Sequence, residues 1–154
     1  MLKSLMAKKM IKPGPIFNDV TTLTKDLVPG RIDVLTAGFP CPDISIAGHQ
    51  LGLKGTRSPL FSEVPRLAEE LGVKYLLLEN VQHLVSKDMK EFFSHVVRSL
   101  ANIGFLLRWL VLCGDNVGAK HRRARWFGLG AKSEEDFQHL KILVPKTADG
   151  LKTC

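Results

Sequence analysis

Between positions 32 and 130, short apolar runs alternate with stretches whose apolar residues recur at helical spacing, and this alternation narrows the folds open to the chain. Residues 32–37 run into a turn containing Gly38 and Pro40. Residues 75–78 lead directly into Glu79-Asn80-Val81. Residues 105–112 stop at Cys113-Gly114, and residues 125–130 form a shorter run with a charge at its start. Each is short, apolar and bounded by breakers, and so reads as a strand. Two helical patterns lie between them. Residues 62–71 carry Val64, Leu67, Ala68 and Leu71; residues 87–103 carry Met89, Phe92, Phe93, Val96, Val97 and Leu100. Ser62 can cap the first helix, and Gly72 and Gly104 sit where the two helices would stop. Strand, helix, strand, helix, strand predicts an α/β fold, a parallel sheet flanked by helices. Ligands of such sheets bind beyond the carboxyl ends of the strands. Gly38 to Cys41 and Glu79 to Val81 should therefore meet at one edge.

The length of 154 residues suits one domain, and 45% apolar with 24% charged residues is ordinary globular composition. The expected organisation is an irregular basic segment over 1–15, a folded domain over 16–132 and a tail over 133–154. No apolar run reaches the ~18 residues of a membrane span, and the longest candidate, 105–113, is interrupted by Arg108. The first twelve residues hold four lysines without a long apolar stretch, which does not read as a secretory signal. Cys41, Cys113 and Cys154 are odd in number and form no Cys-x-x-Cys pair. Neither a metal site nor a disulfide framework is indicated, and a reducing, intracellular location (cytoplasm or nucleus) is the simpler expectation. A net charge of +7 favours a polyanionic partner.

Several residues are of types that carry chemistry. Cys41 lies on a loop beyond a strand, stiffened by Pro40 and Pro42. It reads either as a nucleophile or as a small buried hydrophobe. Glu79 is either a solvated strand-end acid or a hydrogen-bond partner for a heterocycle. Asn80 beside it suits a turn or a substrate contact. In His121-Arg122-Arg123-Ala124-Arg125, strand alternation would point Arg123 and Arg125 to one face. Two guanidiniums there suit a carboxylate, a phosphate or a base carbonyl, or are simply a basic surface run. Asp19 follows Ile16-Phe17-Asn18 and reads as a turn residue or as an acceptor for a nucleotide. Arg57, in a loop rich in glycine and polar residues, reads as a phosphate or substrate contact or as a surface charge.

Taken in order, these elements resemble the DNA (cytosine-5) methyltransferases. The family's Pro-Cys motif is matched by Gly38-Phe39-Pro40-Cys41-Pro42-Asp43-Ile44-Ser45, with proline where glutamine usually follows the cysteine. The Glu-Asn-Val motif is matched by Glu79-Asn80-Val81. The Gln-x-Arg-x-Arg motif is matched by residues 121–125, with His121 in place of glutamine. The resemblance spans about residues 16–130. It implies a Rossmann-like, S-adenosylmethionine-dependent methyltransferase sheet with flanking helices. It implies Cys41 as nucleophile at carbon 6 of a flipped cytosine, with Glu79 at ring nitrogen 3 and Arg123 and Arg125 orienting base and glutamate. Asp19 and Pro40 are the implied contacts to S-adenosylmethionine. Ser45, Arg57, Asn80 and His121 are the implied contacts to substrate or DNA.

The departures concern both ends. Family members carry a Phe-x-Gly-x-Gly loop for the cofactor; here the earliest glycine, Gly14, lies between Pro13 and Pro15. The acid that holds the cofactor ribose and the target-recognition region have no counterpart in the 154 residues. The sheet is thus expected to be incomplete, and a second polypeptide supplying the absent parts joins DNA among the expected partners. The alternative is a catalytically degenerate member that binds nucleic acid through Lys120, Arg122, Arg123 and Arg125, or that serves as a subunit.

Overall fold

A computed structural model describes residues 2–10, 12–41 and 59–143, which include four strands and four α-helices. Strand β1 spans Val34–Gly38, β2 Tyr75–Val81, β3 Leu106–Leu112 and β4 Arg125–Ala131. Helix α1 spans Leu2–Ala7, α2 Glu63–Glu70, α3 Lys90–Asn102 and α4 Glu134–Leu143. Ser45 and Arg57 lie outside the described residues, as does the tail from 144 onward.

The strands form one sheet in the order β1-β2-β4-β3. β1 and β2 are parallel, as the alternation predicts. β4 is not: it lies between β2 and β3 and runs antiparallel to both. The expectation of an all-parallel sheet is corrected on this point. The chain between β3 and β4 holds only a dozen residues and no α-helix. So short a link returns the chain antiparallel, because a parallel crossover requires a longer excursion.

Strand alternation gives the sheet two unlike faces. On one, Leu76, Leu78 and Trp126 are fully buried in a cluster with Val64 and Ala68 of α2 and with Val96 and Leu100 of α3. Phe93 of α3 sets its ring edge-on to both Trp109 and Trp126. Burial of each of these large side chains contributes about 1.5–3 kcal/mol. The other face carries Val34, Leu77, Leu106 and Leu110, all exposed among the described residues. Helix α4 reaches it, where Phe137 is buried and Arg108 stacks on the Phe137 ring and pairs with Glu134.

Several expectations shift. Ser62 does not cap α2: it is itself helical, because a 3-10 turn over Pro59–Ser62 leads straight into the helix. Pro65 falls in the first turn of α2, where its missing N–H is not needed. The segment expected to be irregular at the start holds the six-residue α1, and the expected tail opens with α4. The Ser133 hydroxyl accepts from the Asp136 N–H at 3.0 Å, and three acids fill the first turn. Both favour a helix start. Cys113, just past β3, is buried. Among the described residues no helix is long and apolar enough to cross a membrane.

Gly128 tests the packing of the buried face. A Cβ there would lie 2.4 Å from Cη2 of Trp126, whereas one at Gly14 would meet nothing within 4 Å. Gly128→Ala is expected to lower stability by about 1–3 kcal/mol through overpacking, and Gly14→Ala to leave it nearly unchanged, both measured by urea unfolding.

Candidate active site

The antiparallel course of β4 decides what gathers at the sheet edge. The carboxyl ends of β1, β2 and β3 lie together with the amino end of β4, since Val81 and Leu112 both pair with Arg125. A motif that precedes a strand thus arrives beside motifs that follow or end strands. β1 delivers Gly38 opposite Glu79, and Cys41 follows three residues later.

Glu79 is part of β2 rather than beyond it, so alternation separates it from Asn80. Glu79 faces the open side. Its Oε1 lies 2.9 Å from Nε of Arg125. Its Oε2 lies where a Cβ on Gly38 would come within 3.3 Å. Glycine at 38 therefore leaves room for the carboxylate, and Arg125 holds the other oxygen. Arg125 also donates from Nη1 to the Ala124 carbonyl at 2.9 Å, which steadies the guanidinium. The pair remains partly solvated, with the Arg125 side chain 24% and the Glu79 side chain 43% exposed. Such pairs add only about 0–1 kcal/mol to stability, so the contact serves to orient the carboxylate.

Asn80 turns to the buried face and is 3% exposed. Its Nδ2 donates to the Phe39 carbonyl at 3.0 Å, and its Oδ1 accepts from the Val81 N–H at 2.8 Å. Both halves of the amide are thus engaged by backbone. Asn80 ties the turn that carries Cys41 to β2. The Phe39 ring adds a second anchor, 4.9 Å from Phe61 and 6.4 Å from Phe92 between centroids. Neither anchor stands out in the sequence: Phe61 and Phe92 read only as helix-start and helix-face residues.

Cys41 is a free thiol, half-buried against the core cluster. Burial pushes its pKa above the ordinary thiol value, because a desolvated thiolate is disfavoured. Pro40 beside it is exposed.

Arg123 does not share the strand with Arg125, since β4 begins at Arg125. Arg123 is exposed, its carbonyl accepting from the Gly114 N–H at 3.2 Å. Its own N–H donates to Nδ1 of the exposed His121 at 3.4 Å. Arg122 pairs loosely with Asp115 at 3.5 Å. His121, Arg122 and Arg123 thus make a solvent-facing basic loop that leads into the site.

Asp19 lies in an extended segment and not at a strand end. Its Oδ1 accepts from the Thr21 N–H at 2.9 Å and from the Thr21 hydroxyl at 2.7 Å, capping a 3-10 turn over Val20–Thr22. These bonds hold its carboxyl below the usual pKa. Both fall on Oδ1, so Oδ2 can still accept from an amine. The residue is exposed and ionised, which suits an exocyclic adenine amine as donor.

The family model described as "C-5 cytosine-specific DNA methylase" matches residues 7–152. Type II methyltransferase M.CviJI of Paramecium bursaria Chlorella virus IL3A is 37% identical over 141 residues, which cover 92% of this chain and 37% of that protein. Type II methyltransferase M2.ScrFI of Lactococcus lactis subsp. cremoris is 36% identical over 125 residues, 79% of this chain and 34% of that protein. The chain thus spans about a third of the length of these relatives. Among solved structures, DNMT2 of Spodoptera frugiperda superimposes with a TM-score of 0.56 at 19% identity, covering 86% of this chain and 40% of that one. The S. pombe Dnmt2 methyltransferase gives a TM-score of 0.52 at 23% identity, over 87% and 43% of the two chains. These likenesses carry the fold, a methyltransferase sheet with flanking helices.

The raised pKa of Cys41 has a measurable consequence. The folded thiol holds its proton to higher pH than the unfolded one. Alkylation of Cys41 by iodoacetamide, located by peptide mass spectrometry, should therefore reach half its limiting rate at higher pH in the folded chain than in denaturant. A midpoint equal to or below the denatured one would contradict this account of its surroundings.

Proposed function

Because the chain belongs to the C-5 cytosine-specific DNA methylase family, we propose that it is the catalytic portion of a DNA (cytosine-5) methyltransferase. The observation that carries the proposal is the Glu79 carboxylate, held by Arg125 on one side and given room by Gly38 on the other, on the strand next to the Cys41 turn. A carboxyl fixed at that edge, with a thiol on the adjoining turn, suits a pyrimidine presented edge-on.

The chemistry follows from the base. Carbon 5 of cytosine is a poor nucleophile while the ring keeps its conjugation. Addition of the Cys41 thiolate to carbon 6 breaks that conjugation and builds electron density toward carbon 5. The Glu79 carboxyl delivers a proton to ring nitrogen 3, which offsets the negative charge the adduct would otherwise carry, and takes it back when the ring is restored. Arg125 keeps the carboxylate in place, and we assign to it the base carbonyl oxygen. Asn80 and Phe39 fix the turn so that the sulfur approaches from one face. The Cys41 thiol gives up its proton to solvent on attack; once carbon 5 carries the methyl group, solvent takes the carbon 5 proton and the thiolate leaves, which restores the base. S-adenosylmethionine supplies the methyl group when bound, and Asp19 and Pro40 are the residues of this chain that would hold it. The base reaches the site only when flipped from the duplex. We assign the phosphates nearby to His121, Arg122, Arg123 and Lys120.

The exposed apolar face of Val34, Leu77, Leu106 and Leu110 is the surface on which further polypeptide would seat. We assign to that polypeptide, whether a separate subunit or further length of the same chain, the Gly-rich cofactor loop and the region that reads the DNA sequence.

Covalent trapping tests the proposal. The chain, alone and supplemented with those segments in trans, is incubated with S-adenosylmethionine and DNA containing 5-fluorocytosine. An adduct stable to denaturation is expected, absent in Cys41→Ser and formed at least ~100-fold more slowly in Glu79→Gln. No adduct under either condition would sink the catalytic reading and leave nucleic-acid binding in its place.

A further inference from the structure

We propose that Arg66 of α2 is a positioning residue for the cofactor, clamping the turn capped by Asp19 so that its carboxylate meets the adenine. The inference rests on the reading of Asp19 as the adenine partner given above.

The segment that carries Asp19 has little hydrophobic anchoring. None of the described side chains from 12 to 31 is buried, and Leu23 and Val28 are only half-buried. Polar bonds to α2 supply the rest. Arg66 donates from Nη2 to the Val20 carbonyl at 3.1 Å and from Nη1 to the Leu23 carbonyl at 3.0 Å. Glu70 accepts the Lys25 N–H on Oε1 at 2.8 Å. These bonds join residues more than forty positions apart in sequence.

Arg66 is itself held. Its Nε donates to Glu63 Oε2 at 2.6 Å, and Nη1 also donates to Glu70 Oε2 at 2.8 Å. Two carboxylates thus fix the guanidinium plane, and the plane fixes two carbonyls. The rigid fork of an arginine can do this; a lysine offers one point charge without a plane. The grip acts on a unit. Asp19 bonds to Thr21 through Oδ1, the Thr22 hydroxyl donates to the Asp19 carbonyl at 2.9 Å, and the Leu23 N–H donates to the Val20 carbonyl at 3.2 Å. Holding Val20 and Leu23 therefore orients the Asp19 carboxylate as well.

α2 also belongs to the core of the site. Val64 and Ala68, which flank Arg66, pack in the same cluster as Leu76 and Leu78 of β2 and Phe39 of the Cys41 turn. The clamp thus references Asp19 to the strand edge that carries Glu79 and to the turn that carries Cys41.

The test uses the full chain with Arg66→Met, Arg66→Lys, Glu70→Gln, Asp19→Ala and the Arg66→Met/Asp19→Ala double variant. Hydrogen exchange of peptides covering 19–28 and 90–102 is followed by mass spectrometry, and S-adenosylmethionine affinity by ligand-observed NMR titration. Arg66→Met should speed exchange over 19–28 and leave 90–102 unchanged, which also shows that the variant folds. It should weaken S-adenosylmethionine by about tenfold, the size of one lost hydrogen bond to a charged group. Arg66→Lys should fall between, and Glu70→Gln should act in the same direction. The double variant should be no weaker than Asp19→Ala alone, which a merely structural arginine would not produce. If Asp19→Ala weakens binding while Arg66→Met does not, the clamp is wrong and the adenine reading stands. If Asp19→Ala has no effect, or the unaltered chain does not bind, the adenine reading fails and the inference falls with it. Unchanged exchange over 19–28 in Arg66→Met would overturn the clamp directly.

Discussion

The antiparallel pairing of β4 between β2 and β3 is the constraint on which the site depends. Cys41 follows a strand and Glu79 lies near the end of one, but the arginine motif precedes its strand. In an all-parallel sheet the start of β4 would sit at the opposite edge. Reversal brings Arg125 level with Val81 and diagonal to Glu79, within hydrogen-bond reach. The register also sets the faces. Glu79, Phe127 and Leu110 share one side, and Asn80, Trp126 and Val111 share the other. A slip of one residue would bury the carboxylate and expose the amide that ties the turn.

From that register the labour divides between neighbours in sequence. Glu79 works outward, on the face open to a ligand. Asn80 works inward, joining β2 to the Phe39 carbonyl. Losing the Asn80 amide would take its donor from the carbonyl of the buried Phe39, at about 1–3 kcal/mol. The ring of Phe39 beside Phe61 and Phe92 gives the same turn an apolar anchor. Cys41 is thereby placed by hydrogen bond and packing at once, while its own atoms remain free to react.

Much of this was legible in the sequence. Short apolar runs ending at Gly38 and Glu79 predicted two strands of a parallel sheet with their ends at one edge, and the structure pairs those residues with one another. The helices α2 and α3 follow from their apolar spacing. Orientation was less legible. Alternation speaks to strand direction only where a helix intervenes, as between β1 and β2, and the link from Leu112 to Arg125 showed its meaning only through its shortness. The expectation that Arg123 and Arg125 share a strand face failed because β4 starts two residues too late to include Arg123. The α4 helix was readable in Ser133-Glu134-Glu135-Asp136, a cap followed by acids, but its weak apolar stripe hid it. The Arg66 clamp was not readable at all, since its partners are backbone carbonyls more than forty residues away, and backbone carbonyls leave no mark on a sequence.

The central claim is that Glu79 and Arg125 act as one unit because the β2–β4 register joins them. A double-mutant cycle on the rate of covalent adduct formation tests it most directly, with Glu79→Gln, Arg125→Gln and the two together. The double variant should react about as slowly as the slower single variant, a coupling of roughly tenfold or more. Independent effects that simply multiply would contradict the claim and leave the contact an incidental surface ion pair.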